Sequence, residues 1–425
     1  MLGRMNPPRP SQARQRALPA LVVALLLLGA AVVQAQSVTS WYQGPVLPEP
    51  QLQAVQVRPV WRDQVDAANA VVTDTGVVYL RGGRLVATEL ASGWQQWSYG
   101  SGLTGPLTLV LDTVLVAEGG SVTALNARTG EVRWTTRVSE LPVRRLLPSG
   151  SALLVASGDA SEGAVLDLRS GRVEYSLDLP VPGAPAFVAE DLVLFAASSS
   201  DPGSRWYYAY DPRTGRQLWQ GTGWRQVLAV EQGLVYMLNQ SGVAESGFSV
   251  SVVDATTGSR VDHWRYEFGG RVVTWEPGSG WVGLEGEALY VADASGERVF
   301  RFPRGGARAP AATYRVEGGR FLVGPYLGLL FFEGVHSGHL TARSVQDGRL
   351  IQYLGPGAKV SRLDLLGMNA YVGRTDGTFL ALDLRTARAR YLLSSGGTGF
   401  GATVAAGEYV VVQGSSEVLV LEDPE

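Results

Sequence analysis

The chain contains no cysteine, a single lysine (Lys359), three histidines and no block of like charge. Without cysteine there is no disulfide staple, no thiolate metal ligand and no lipid-modified N-terminal cysteine. Charged residues are only 18% of the chain and the formal net charge is −3, which excludes a general nucleic-acid binder, since phosphate-dominated binding needs a concentrated basic surface. The near-total use of arginine as the base reads first as compositional bias and only second as a choice for bidentate pairing. Long helices are not expected either. The 53 glycines and 22 prolines are what many short strands joined by tight turns require.

The beginning of the chain is an address. Residues 1–16 carry Arg4, Arg9, Arg14 and Arg16 with no acid, and the apolar run 17–33 follows. Val33 and Ala35 stand at −3 and −1 of a cut before Gln36, so residues 1–35 read as a signal peptide. A retained signal anchor is the other reading, because the run approaches the length that spans a bilayer. Either way the remainder is expected outside the cytoplasm, in the periplasm or cell envelope. Residues 36–54 form a proline-rich linker, and 55–425 the folded body.

That body is built from one repeated unit. Ala124, Asn126, Thr129, Gly130 and Trp134 recur as Ala209, Asp211, Thr214, Gly215 and Trp219. Looser copies end on Trp97, Tyr175, Trp264, Phe300, Tyr353 and Tyr391. An Asp or Asn side chain can cap backbone N–H groups inside a turn, and glycine takes the left-handed position that closes it. Each unit therefore predicts a hairpin turn between two strands, with two further strands upstream: a four-stranded antiparallel blade. The aromatic on the outermost strand is expected to bury its ring against the neighbouring blade.

The unit resembles the tryptophan-docking repeat of pyrroloquinoline-quinone (PQQ)-type β-propellers, over essentially the whole body. The fold class is accordingly all-β, a β-propeller of four-stranded antiparallel blades. Eight turns carry a following aromatic strand, and a ninth set begins at Thr403 and stops before its last turn. Residues 55–62, with Trp61, have the composition of the missing fourth strand, which would close the ring. Eight blades with one apparent unit incomplete or merged are expected, nine units being countable.

In such blades the connections from second to third strand, and from fourth strand to the next blade, share one face. Insertions cluster there at 158–163, 198–204, 240–247 and 333–338, so these loops are the expected binding surface. Candidate interaction residues are Asp159, Glu162, Asp201, Glu245, His336 and His339, together with Trp224 in a connection after Gly221 and Gly223. Glu333, His336 and His339 have a spacing that could present three metal ligands, but in a glycine-containing loop a plain polar loop is the better explanation, and no metal is expected. His263, beside Trp264, should be exposed.

The resemblance extends to the BamB-type propellers of outer-membrane protein assembly, which implies a non-catalytic scaffold with envelope or outer-membrane proteins as partners. Lacking a lipid-attachment cysteine, this chain would reach a membrane only through an uncleaved signal or a partner. A monomer without cofactor is expected. A carbohydrate- or peptide-binding sensor propeller is the alternative. A PQQ-dependent dehydrogenase is a weaker one, because no calcium site with a carboxylate base can be identified.

Overall fold

A computed structural model describes residues 55–423 apart from 68, 158–161, 179–182, 189–190, 199–203, 240–243, 271–272, 275–281, 335–337 and 356. Export signal and linker lie outside the described residues. Among the described residues there is no helix, and strands form eight sheets of four or more members. A representative blade runs Leu107–Val110, Thr113–Glu118, Ser121–Asn126 and Val132–Arg137, each strand antiparallel to the last. The middle strands read as nearly unbroken apolar runs because both of their faces are covered by neighbouring blades.

One sheet has seven strands. Its 15-residue strand Gln217–Glu231 pairs through its first half with Arg205–Tyr210 and through its second half with Leu234–Asn239. It is thus the outer strand of one unit and the inner strand of the next. This is the merger that the sequence count anticipated: nine four-stranded units are countable, and two share a sheet.

The ring closes as expected at the N-terminus, but by a shorter segment. Trp61–Gln64 pairs antiparallel with Glu417–Glu422 and completes the sheet of the last unit. Val55–Gln56 instead lies parallel to Arg388–Ser394, on the outer edge of the preceding sheet. Apolar clusters bind each unit to the next, and one joins Val77, Tyr79 and Val86 of the first unit to Val411, Val418 and Val420 of the last.

Docking turns hold successive units together. Asn126 Oδ1 accepts from the backbone N–H groups of Arg128 and Thr129, and Asp254 and Asp383 repeat this capping. Gly130, at φ +72°, lies flat against the indole of Trp97 from the previous unit. Trp97 Nε1 donates to Ala127 O (3.1 Å), Trp134 Nε1 to Leu168 O (3.1 Å), Trp219 Nε1 to Ala255 O (2.8 Å) and Trp61 Nε1 to Leu90 O (2.7 Å). Tyrosine does the same by its hydroxyl, as Tyr353 to Leu384 O (2.8 Å). Each bond satisfies a carbonyl that the packed ring would otherwise cut off from water.

Two assignments change. Asp293 and Gly296 lie between Ala288–Ala292 and Arg298–Pro303, the second and third strands of their blade, so this turn belongs to the loop face. Phe300 is therefore on a third strand. The docking ring of that blade is Tyr314, whose hydroxyl donates to Val345 O at 2.7 Å. Because this blade lacks a docking turn at its usual place, Trp264 from the preceding unit has none to meet. Its Nε1 donates to Asp262 (2.8 Å), and the Arg304 guanidinium, paired with Glu231, covers Tyr236 and Trp264 at 4.6 and 5.7 Å from the ring centroids. A cation on an aromatic face here replaces the glycine.

Candidate interaction surface

Loops of the two expected kinds do emerge together. Ala244–Glu245, in a connection from second to third strand, pairs antiparallel with Val273–Thr274, which leads out of a fourth strand. Side chains stitch the same two classes of loop elsewhere. Asp66 accepts from the N–H groups of Gly82 (2.8 Å) and Gly83 (2.7 Å), and Glu417 Oε1 from Gly396 N (2.8 Å) and Ser395 Oγ (2.6 Å). Ser139 Oγ donates to Glu162 Oε2 at 2.6 Å. Gln413 both accepts from Ala70 N and donates to Ala70 O, each at 3.0 Å. The face is therefore a braced polar rim.

The connections 158–163, 198–204 and 240–247 belong to three units that are consecutive in the chain and 333–338 to a later one, and most of the residues in these connections lie outside the described residues. Of the candidate residues, Asp159, Asp201 and His336 lie outside the described residues. Glu162 is exposed and bonded to Ser139 as above. Glu245 is placed by its backbone in the short two-stranded pairing.

Trp224 is not on a loop. The segment around Gly221 and Gly223 continues the strand Gln217–Glu231, and the half-buried Trp224 ring meets Tyr207 and Trp219 edge-on at 6.3 and 6.2 Å. Gly221 is what makes room for it, since a Cβ there would come within 2.5 Å of Trp224 Cζ3. The ring serves packing between units. Trp206, Tyr207 and Tyr208 do likewise, their faces divided between two adjacent clusters.

The Glu333, His336, His339 spacing does not deliver its carboxylate to a metal. Glu333 is buried, with Oε2 held by Arg320 (2.7 Å) and Oε1 accepting from Val360 N (2.9 Å). Burial alone would raise its pKa, but the Arg320 bond and the N–H donors outweigh it and hold the carboxyl below the usual range. Among the described residues no group of three His, Asp or Glu side chains is placed to hold a metal ion. His263 is half-buried rather than open, and burial together with Arg260 and Arg265 lowers its pKa.

Arg374 escaped the sequence reading. It is buried to 5% exposure and donates to Gly338 O (3.1 Å) and Gly355 O (3.4 Å), tying both loop classes from one side chain. Burial depresses its pKa. An arginine ending an otherwise apolar second strand, before Asp376 and Gly377, is the one signal that could have pointed to it.

A family model described as outer membrane protein assembly factor BamB matches residues 51–145 and 81–297, more than half of the chain. No curated protein matches the sequence. Among solved structures, BamB from Moraxella catarrhalis is 15% identical, with 85% of this chain and 98% of that one covered at a TM-score of 0.46. Sqt1 from Saccharomyces cerevisiae is 13% identical, with 76% and 95% covered at a TM-score of 0.50. The quinohemoprotein alcohol dehydrogenase from Comamonas testosteroni is 11% identical, with 88% and 79% covered at a TM-score of 0.45.

Proposed function

Because this chain belongs to the family described as outer membrane protein assembly factor BamB, we propose that it is a non-catalytic scaffold outside the cytoplasm, serving protein assembly at the envelope. The single observation that carries the reading to a surface is the rim on which the two kinds of connection are tied to one another by carboxylate-to-backbone bonds. Loops held by a rigid frame present a partner with a preformed surface, which lowers the ordering cost of binding. The arginine-flanked apolar start supports export, and the absence of cysteine leaves an uncleaved signal or a partner as the means of membrane attachment.

Affinity capture of the full-length chain from its own envelope after crosslinking tests this. Recovery of a β-barrel membrane protein, lost when loops 158–163 and 240–247 are shortened, is the expected result. Recovery of no envelope protein would overturn the scaffold. Robust dye reduction after incubation with PQQ and calcium would overturn the non-catalytic reading.

A further inference from the structure

A cavity of about 510 Å³ opens on the outer rim, where the chain passes from one sheet edge to the sheet that closes the ring. Val57 N donates to Leu392 O (2.9 Å) and Val60 N to Val420 O (2.8 Å), so the crossing is pinned at both ends and the cavity is held open between them. Val57, Pro59, Trp61 and Leu393 give it an apolar side; Arg58 and Arg62 give it two guanidinium groups.

Those two arginines are exposed, and among the described residues neither has a carboxylate or hydrogen-bond partner. Other arginines of the body are held by carboxylates, as Arg81 by Asp63, Arg133 by Asp112 and Arg304 by Glu231. The nearest acid in sequence, Asp63, is taken up by Arg81 and by the Tyr79 hydroxyl (2.6 Å). No acidic side chain is among the residues lining the cavity. Its volume lies within the range of ordinary small-molecule sites. Two unpaired guanidinium groups beside an indole and aliphatic surface form a donor set for a phosphate carried by an amphiphile, with bidentate bonds to the oxygens and apolar contact behind them.

We propose that this rim cavity binds a phosphate-bearing anion, with Arg58 and Arg62 as its ligands and Trp61 as its apolar wall. The proposal is independent of the loop-face function. Phosphate oxygens can come from an anionic lipid headgroup or from a soluble phosphate, and calorimetric titration of the full-length chain separates them. The probes are dihexanoyl phosphatidylglycerol, its neutral phosphatidylcholine counterpart, and inorganic phosphate. Saturable binding of phosphatidylglycerol alone supports a membrane source, and binding of inorganic phosphate supports a soluble one. In either case the R58Q/R62Q variant should bind at least about tenfold more weakly, and raising salt should weaken the wild type. Both side chains are exposed and unpaired, so the variant should unfold at the wild-type midpoint. Binding of neither anionic probe, equal binding of phosphatidylcholine, or undiminished binding by R58Q/R62Q would overturn the proposal.

Discussion

Two glycines in the same kind of turn isolate the value of ring docking. Gly130 and Gly348 have φ of +72° and +70°, so alanine at either pays the same left-handed backbone penalty, about 1–2 kcal/mol. Their neighbours differ. A Cβ on Gly130 would sit 2.6 Å from Trp97 Cδ2, whereas one on Gly348 would meet nothing within 4 Å. Forcing a methyl into the packed indole adds the cost of overpacking, about 1–3 kcal/mol. Gly130→Ala should therefore destabilise by about 2–5 kcal/mol, and Gly348→Ala by about 1–2 kcal/mol. Urea unfolding followed by circular dichroism measures both, with unchanged m-values as the check that the midpoint shift is a stability change. In a Trp97→Ala background, itself about 3–5 kcal/mol less stable, the excess at Gly130 should disappear. Equal losses for the two glycines, or an excess that persists without the indole, would show that the ring does not set the packing of this junction.

Two further outcomes follow from single side chains. Glu285, half-buried on the inner strand Val282–Glu285, is pushed up to about 7 by burial. Its folded pKa exceeds the unfolded value, so its contribution is fully present below about pH 4.5 and lost as pH rises through 7. Glu285→Gln should match wild type at pH 4.5 and gain about 1 kcal/mol at pH 8.5, a figure discounted for partial exposure; a difference flat with pH in thermal melts would refute this. Trp61→Ala should unfold far more easily than Trp94→Ala, because Trp61 docks the closing strand while Trp94 is 78% exposed and should change stability by no more than about 0.5 kcal/mol. Equal midpoints would mean that the N-terminal strand does not hold the ring closed.

The blades were legible where one chemistry has one use. Asn126, Gly130 and the preceding Trp97 are specified together by capping, a positive φ and a flat ring, so each predicted the others. Asp293 and Gly296 misled because the same capping chemistry closes any short hairpin, on either face. The clue was spacing: Phe300 follows Gly296 directly by four residues, yet one residue of the usual turn is missing before the glycine. Trp224 misled for a different reason. Gly221 and Gly223 read as a break, but Gly221 is there to admit an indole into a continuous strand. The Glu333 spacing gave no hint that an arginine thirteen residues earlier, Arg320, would already hold its carboxylate.

The two faces of the propeller differ in what their loops must satisfy, and this is why one is written in the sequence and the other is not. A docking turn must cap its own backbone and also lie flat under a ring from the previous unit, so its length and residue types are fixed twice. On the loop face the requirement is only that some polar side chain reach some nearby backbone group. Asp66 does so from the connection leading into a unit, Glu417 from within one, and Arg374 with the opposite charge by donating to carbonyls. Any of these solutions braces the rim, and none fixes the length of the loop between its anchors. Insertions at 158–163, 198–204 and 240–247 therefore cost the fold little, and the face that is free to vary is the one on which a partner can be selected.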